Sequence, residues 1–226
     1  MKPILKLDWC SHAAAKYAVE HWHYSKVLPL GKLIKIGIWE DRTFIGCILF
    51  ARANTPNMGK RYGLVMTQIC ELARVALTHH QTPVTRICRI ALCLLQKSNP
   101  GLKLVVSFAD PDHGHHGGIY QAGNWIYCGM SHAELQFFDA GRWKHRREVV
   151  SQYCFGNIRQ MPDYKHMPNR LLPGKHRYLY PLDAAMRAQI LPLAQPYPKR
   201  AVSTAASAPV LQAGEGGSSP TTALDS

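Results

Sequence analysis

Hydrophobic and polar positions in the first part of the chain switch between helical and strand spacing. From Asp8 to His23, apolar side chains recur three and four positions apart, which predicts a first helix with Ser11 as its N-cap. Two β-rich runs follow, Leu33 to Trp39 and Phe44 to Ala51, at a separation typical of a hairpin. The run from Ile69 to Leu77 alternates poorly, which predicts a strand that is buried on both faces.

The same switching continues to about residue 130. Thr82-Pro83 starts a helix with a single apolar stripe, and Asn99-Pro100-Gly101 ends it. A strand from Leu102 to Phe108, a short helix through Ile119 to Ala122 and a strand from Trp125 to Cys128 follow. This order of elements predicts an α/β (α+β) domain in which helices flank a central mixed sheet.

The later segments are less regular. QFFDAGRWKHRR resembles a hairpin around Asp139-Ala140-Gly141, and HRYLYPL near residue 180 resembles a last strand. After Gln195 the composition is dominated by Pro, Ala, Ser, Thr and Gly, which cannot bury enough apolar surface to become ordered. We therefore expect one domain over residues 1–195 and a disordered tail over residues 196–226.

The net charge narrows the choice of partner. The chain has a formal net charge of +13, and because Lys199 and Arg200 are balanced by Glu215 and Asp225, the excess lies in the predicted domain. This favours a nucleic acid partner over a solvated basic surface. No apolar run is long enough to span a membrane and no secretory signal is recognisable, so we expect a cytoplasmic protein without membrane contact.

Ionisable residues and glycines are concentrated in SFADPDHGHHGGIYQAGNW, residues 107–125, directly after a predicted strand. Strand ends in α/β sheets hold ligands, so this stretch is the first candidate for a site. The Asp110 carboxylate can bind an amine, take a proton or hold a metal; the alternative is an Asp that starts a turn before Pro. His113, His115 and His116 also suggest a metal, but without a matched fourth ligand they fit phosphate binding or solvent exposure equally well.

Other side chains have both a chemical and a structural interpretation. The Tyr120 hydroxyl can donate a proton, yet the residues alone favour a ring that fills the core. Arg74 lies inside an apolar strand, so its guanidinium must face a cavity, a carboxylate or a phosphate. Glu71 is predicted on the opposite face and is therefore not its obvious partner. His23 and Tyr24, at the end of the first helix, either bind a ligand or suit the helix terminus.

Two basic segments, GRWKHRR (141–147) and GKHR (174–177), are candidates for DNA contact. Their basic side chains can bind phosphates, and Trp143 can serve as a platform or wedge for bases; an exposed basic hairpin with Trp143 in the core would give the same pattern. The sequence carries no helix-turn-helix, zinc-finger or RNP pattern. The predicted DNA-binding residues are Arg142, Trp143, Lys144, Arg146, Arg147, Lys175 and Arg177.

Three segments resemble a known family. MKPILKLDWC with HWHYSK, ELARVAL, and SFADPDHGHHGGIYQAGNW are similar to the Mom proteins of Mu-like phages, over residues 1 to about 190. The resemblance implies that adenine N6 in phage DNA is converted to an N6-carbamoylmethyl group, which shields the DNA from host restriction enzymes. It further implies double-stranded DNA as the partner in the host bacterial cytoplasm, and it leaves a homodimer open.

The strand order also resembles the acyltransferase fold of the GNAT class. In that class a helix carrying a Tyr follows the fifth strand, and IYQAGNW places Tyr120 at the position of the general acid. With this resemblance, Asp110 would orient or deprotonate the adenine amine, and Arg74 would hold a carboxyl or phosphate of the donor. Ser107 would bind the base or the donor. We expect these four residues to be catalytic.

The resemblance leaves the donor open. The GNAT loop that cradles the pyrophosphate of coenzyme A is Gly-rich, whereas THHQTPVTR at 78–86 contains no glycine. The donor is then either an activated glycine or an acyl-CoA-like compound. Mom proteins have also been linked to iron, for which His23 and Tyr24 are the matching positions. The rival functions are a non-enzymatic basic DNA-binding module and an N6-adenine methyltransferase, which would need a Gly-rich turn that this sequence lacks.

Overall fold

The computed structural model describes residues 2–29, 31–53, 57–154 and 166–199, without the side chains of Arg147, Ser151 and Cys154. The strands are β1 (Leu5–Trp9), β2 (Leu33–Glu40), β3 (Thr43–Arg52), β4 (Ile69–Leu77), β5 (Leu104–Ala109), β6 (Ile126–Met130), β7 (Glu134–Asp139), β8 (Arg142–His145), β9 (Asn169–Leu172) and β10 (His176–Pro181). The α-helices are α1 (His12–Trp22), α2 (Asn57–Lys60), α3 (Val84–Ser98), α4 (Gly118–Ala122), α5 (Arg146–Cys154) and α6 (Ala184–Ile190). None of the helices in these ranges is long and apolar enough to cross a membrane.

The N-terminal segment forms a strand that the sequence pattern did not predict. Leu5–Trp9 pairs antiparallel with β2. Helix α1 therefore begins at His12 and not at Asp8, and the Ser11 hydroxyl accepts the Ala14 N–H at 3.1 Å as the predicted N-cap. The prediction of a helix from Asp8 was wrong because pairing with a neighbouring strand outweighs a weak local helical pattern.

A mixed seven-stranded sheet forms the centre of the molecule, in the order β1-β2-β3-β4-β5-β10-β6. β4 and β5 are parallel, and the other neighbouring strands are antiparallel. Helices α3 and α4 cover one face, and α1 and α6 cover the other, each over buried apolar side chains. This arrangement confirms the predicted fold class, a central mixed sheet flanked by helices.

The parallel strands β4 and β5 pair only at their beginnings. Their register runs from Ile69 opposite Leu104 to Glu71 opposite Val106. Beyond this point β4 stays bonded to β3, whereas β5 stays bonded to β10. A cleft therefore opens between the C-terminal halves of the two strands, which is where sheets of this kind bind ligands.

A second, three-stranded sheet has the order β8-β7-β9 and packs against α5. β7 and β8 form the predicted hairpin, in which Asp139 pairs with Arg142. Ala140 and Gly141 between them have φ values of 48° and 79°, as a tight hairpin turn requires. The hairpin is confirmed, but it ends earlier than predicted because Arg146 begins α5.

The described chain continues past the predicted domain boundary at Gln195. The Tyr197 hydroxyl donates to the Trp125 carbonyl at 2.7 Å, so packed structure extends beyond that boundary. Tyr197 supplies an aromatic ring and a hydroxyl that contact the body of the domain, and the predicted boundary and tail stay predictions. The rest of the predicted tail, residues 200–226, lies outside the described residues.

Candidate active site

A cavity of about 620 Å³ lies in the cleft between the split ends of β4 and β5. Its wall combines the end of α1, the middle of β4, the end of β5 and the loop that leads into α4. A cavity of this size can hold a small organic ligand. The residues in its lining that the sequence singles out are His23, Tyr24, Arg74, Asp110, His115, His116 and Tyr120.

A β-bulge in β4 decides which side chains face the cleft. Leu72 and Arg74 pair with consecutive residues of β3, so Ala73 is an extra residue. One inserted residue reverses the alternation of the side chains that follow it. Glu71 and Arg74 therefore lie on the same face of the sheet, and the prediction that they face opposite ways was wrong.

Carbonyl groups, rather than a carboxylate, hold the Arg74 guanidinium. Its Nη1 donates to the Ala73 carbonyl at 2.7 Å and its Nε to the Val27 carbonyl at 3.3 Å. Across the described ranges of the chain, no carboxylate forms an ion pair with Arg74. Burial lowers the pKa of Arg74, and the nearby Tyr24 and Glu71 oppose that shift. The positive charge is therefore available at the cavity wall for an anionic group of a ligand.

Ser107 bridges the split between β4 and β5. Its buried Oγ lies 2.8 Å from the Leu72 carbonyl oxygen and 2.7 Å from the Tyr120 hydroxyl oxygen. Because a carbonyl can only accept, Ser107 donates to Leu72 and the Tyr120 hydroxyl donates to Ser107. Burial raises the pKa of Tyr120, so its hydroxyl is protonated at neutral pH and can act as an acid.

Asp110 directly follows β5 and is held by three groups. Its Oδ1 accepts the Asp112 N–H at 3.1 Å, and its Oδ2 lies 3.5 Å from His113 Nδ1 and 3.6 Å from Lys175 Nζ. Lys175 Nζ also lies 3.3 Å from Glu134 Oε1. Burial would lower the pKa of Lys175, but the carboxylates of Glu134 and Asp110 raise it above its usual value. Lys175 is thus a cation that holds the Asp110 carboxylate in place.

His23 and Tyr24 are the positions at which the resemblance implies an iron site. The Ser25 N–H donates to His23 Nδ1 at 3.1 Å, which leaves the proton of the neutral ring on Nε2. Burial and the charge of Arg74 lower the pKa of His23 to about 4, so the ring is neutral at pH 7. Among the side chains that the structure describes, no group of three or more His, Cys, Asp or Glu is placed to hold a metal ion. Iron as a cofactor therefore has no structural support.

The family of the chain follows from its sequence as a whole. A model of the Mom protein family matches residues 4–199. The chain belongs to the Mom protein family. Methylcarbamoylase mom of Escherichia phage Mu is 29% identical to it over 146 residues, which cover 62% of this chain. The match spans 60% of the length of that relative.

Solved structures with a similar backbone share little sequence with this Mom-family protein. The N-acyl amino acid synthase FeeM from uncultured soil microbes is 10% identical, with a TM-score of 0.46 over 84% of this chain and 95% of that one. The AHL synthase LasI is 10% identical, with a TM-score of 0.43 over 88% of this chain and 99% of that one. The family assignment rests on the sequence match.

Three of the basic residues predicted to bind DNA are tied to carboxylates: Lys175, as described above, Lys144 and Arg142. Lys144 is buried in the Mom-family chain, with Nζ 2.6 Å from Asp139 Oδ2 and 3.0 Å from Gln152 Oε1. It therefore holds the hairpin to α5, and the prediction of a phosphate contact does not fit this conformation. Arg142 is exposed but paired with Glu148.

The other basic residues differ in exposure. Trp143 is 37% exposed, and the Arg170 guanidinium lies 4.6 Å from its ring centroid, so this ring is not in the core. Arg146 is exposed, whereas Arg177 is half-buried. The Arg147 side chain lies outside the described residues. Trp143, Arg146 and the unpredicted Arg170 are thus the surface candidates for DNA contact.

A carboxylate closes the loop before α3. Glu40 Oε2 accepts the Gln81 N–H at 3.0 Å, and Oε1 accepts the Thr82 N–H at 2.6 Å. Burial opposes ionisation of Glu40, but these hydrogen bonds lower its pKa below the usual value. A negative group thus already occupies backbone N–H groups of the kind that bind phosphates.

The sequence interpretation missed Glu134 and Glu40, and it assigned Glu71 and Lys175 to other places. Glu71 could have been found only by recognising the bulge at Ala73, for which ELARVAL gives no clear signal. Glu134, Lys175 and Glu40 come from elements far away along the chain, and their contacts depend on the order of strands in the sheets. No local pattern contains that information.

Proposed function

We propose that this Mom-family chain converts adenine N6 in double-stranded phage DNA to N6-carbamoylmethyladenine, which protects the DNA from host restriction. The observation that carries the proposal is the cavity that is lined by a carboxylate, Asp110, a protonated phenol, Tyr120, and a guanidinium held by backbone carbonyls, Arg74. These are the groups that acyl transfer to an amine requires: a proton acceptor, an acid for the leaving group, and a holder for an anionic donor. The name of the phage Mu relative supports this substrate class.

The acceptor in this proposal is an extruded adenine. Its N6 amine is paired and stacked inside the duplex, so the base must leave the helix to reach the cavity. Asp110 then accepts one N6 hydrogen and directs the nitrogen at the donor carbonyl. Lys175, 3.6 Å from Asp110 Oδ2, fixes the position of that carboxylate while the proton moves.

The transfer step balances with a glycyl donor. A bond forms between N6 and the glycyl carbonyl carbon, and the bond from that carbon to the leaving group breaks. The N6 proton passes to Asp110, and the Tyr120 proton passes to the leaving group. The glycine amine next attacks adenine C6 and the original C6–N6 bond breaks. One proton of the attacking amine passes to the departing nitrogen, so the original N6 becomes the terminal amide of a carbamoylmethyl group.

An activated glycine suits the site better than an acyl-CoA donor. The bonds from Gln81 and Thr82 to the Glu40 carboxylate occupy the loop before α3, where a GNAT enzyme would bind a pyrophosphate. A pyrophosphate would also be repelled by that carboxylate. Arg74 remains available for an anionic group of another kind of donor.

The test of this function separates DNA binding from modification. Asp110→Asn removes the proton acceptor and keeps the shape of the side chain, so we expect DNA affinity within about twofold of wild type and modification lowered at least about a hundredfold. The control is Asp112→Asn, which changes an exposed carboxylate two positions away. Affinity is measured by fluorescence anisotropy with duplex DNA, and modification by nucleoside analysis of DNA from expressing cells. Unchanged modification in Asp110→Asn would refute the role of Asp110, whereas DNA binding without modification by wild type would favour a DNA-binding module.

A further inference from the structure

The Tyr24 ring lies among imidazole rings at the cavity. Its centroid is 4.3 Å from that of His23, 4.8 Å from His113 and 4.9 Å from His115. The side chain is nevertheless 49% exposed, so a large part of its ring surface is open. We call Tyr24, His113 and His115 the aromatic wall. A ring that is supported by neighbours but partly open is suited to stack against a planar ligand.

The aromatic wall lies directly beside the candidate proton acceptor. His113 Nδ1 is 3.5 Å from Asp110 Oδ2, so one member of the wall contacts the carboxylate. Tyr24, His115 and Asp110 all line the same 620 Å³ cavity. A flat heterocycle that rests on Tyr24 would therefore present its edge, and an amine on that edge, to Asp110.

We propose that the aromatic wall is the subsite on which the extruded adenine stacks, with Tyr24 as its main contact; this rests on the proposed function. Stacking replaces the contacts that the base loses when it leaves the duplex, and aromatic side chains supply such contacts to unpaired bases. Stacking requires the aromatic ring of Tyr24 and does not require its hydroxyl oxygen. That oxygen makes no hydrogen bond within the described part of the chain.

A metal-binding role for Tyr24 would require its hydroxyl oxygen and not its ring. A metal would be bound through the phenolic oxygen, so Tyr24→Phe would then be as harmful as Tyr24→Ala. Stacking requires only the ring, so Tyr24→Phe would be tolerated. The two substitutions therefore distinguish the roles directly.

The first experiment measures modified adenosine in DNA from cells that express each variant. We expect Tyr24→Phe to stay within about twofold of wild type and Tyr24→Ala to fall by about tenfold to a hundredfold. Tyr17→Ala is the control, because Tyr17 is a similarly exposed tyrosine of α1 that stacks on His21 at 4.0 Å. It should leave modification unchanged. Equal losses in Tyr24→Phe and Tyr24→Ala, or no loss in Tyr24→Ala, would overturn the stacking role.

The second experiment does not depend on catalysis. An adenine opposite an abasic site costs less to extrude than a paired adenine, so purified wild-type protein should bind such a duplex more tightly than the matched duplex. We expect Tyr24→Phe to keep this preference. In Tyr24→Ala, the ratio of the affinities for the two duplexes should fall about tenfold. If wild type shows the preference but modifies no adenine, the proposed function fails and the subsite stands. If Tyr24→Ala binds both duplexes as wild type does, the subsite fails whatever the activity.

Discussion

At the scale of single residues, burial and neighbouring charges determine which groups carry protons around the cavity. Burial raises the pKa of Tyr120, which keeps its hydroxyl protonated. Burial and, as a smaller cause, the charge of Arg74 lower the pKa of His23 to about 4, which keeps its ring neutral. Lys175 keeps its charge because Glu134 and Asp110 outweigh its burial. The site at neutral pH thus contains an acid, a neutral imidazole and a fixed cation.

The neutral state of His23 makes folding stability depend on pH. The folded protein protonates His23 only near pH 4, whereas the unfolded chain does so near 6.5. Protonation therefore favours the unfolded state between these values, and the free energy of unfolding should fall by up to about 1.4 kcal/mol per pH unit as pH decreases from 6.5 to 4. His23→Gln should flatten this dependence in urea unfolding measured across that range. His12→Gln, at an exposed histidine, should keep the wild-type slope; identical slopes for all three proteins would contradict the assignment.

The residue types at the site could be inferred from the sequence, but not all of their contacts. Asp110 and Tyr120 belong to one dense stretch, and Arg74 is conspicuous as a charge within an apolar strand; the structure brings all three to one cavity. Their catalytic roles stay predictions. Lys175 was predicted to contact DNA, yet it lies 3.6 Å from Asp110 because β10 inserts beside β5. Such a neighbour follows from strand order and not from local pattern.

At the scale of elements, the β7–β8 hairpin depends on a buried ion pair. Lys144 joins Asp139 at 2.6 Å, and the Tyr153 hydroxyl of α5 donates to the same carboxylate at 2.9 Å. These bonds fix the hairpin that carries Trp143. The hairpin therefore presents Trp143 and the adjacent Arg146 on a rigid support, with Lys144 as its internal anchor.

Substitution of Lys144 should consequently affect stability before DNA binding. Lys144→Met leaves Asp139 without its cation, so we expect the Tm to fall by about 5 °C. DNA affinity of the folded protein, measured well below the Tm, should stay within about twofold of wild type. Arg146→Ala is the matched surface variant and should show the reverse, with an unchanged Tm and weaker binding. A large loss of affinity in Lys144→Met with no change in Tm would show that Lys144 contacts DNA.

Long, strongly patterned elements could be predicted, whereas weakly patterned ones could not. The periodic stripe of α3 and the apolar run of β5 appear close to where the sequence predicts them. β1 and β9 are short strands whose formation depends on pairing with β2 and β7. Local propensity is too weak to determine such segments, because tertiary pairing supplies most of their stability.

At the scale of the whole molecule, the charge of +13 should give DNA binding a steep salt dependence. If Arg146 contacts a phosphate, Arg146→Glu should lower the slope of log affinity against log salt by about 0.9. Affinities between about 50 and 200 mM salt measure this slope. Arg89→Glu makes the same charge change on α3, away from the hairpin, and should affect the slope less. Equal effects of the two variants would indicate a general field effect instead of a contact at Arg146.

The overall architecture was predictable because the order of helices and strands constrains the fold. The mixed sheet follows from that order, and the family resemblance is confirmed over residues 4–199. The position of the split between β4 and β5 was not predictable, because it depends on where these two strands diverge, with β4 still paired to β3 and β5 still paired to β10. The cavity, and with it the site, is a product of that divergence.

The most direct test of the proposed reaction is mass spectrometry of nucleosides from the DNA of cells that express the protein. Wild type should yield an adenosine with the mass of the N6-carbamoylmethyl derivative, and Asp110→Ala should yield none. Cells that express Asp112→Asn should yield the same product as wild type. Only unmodified or N6-methylated adenosine from wild-type cells, or equal amounts of the carbamoylmethyl product with and without Asp110, would contradict the proposal.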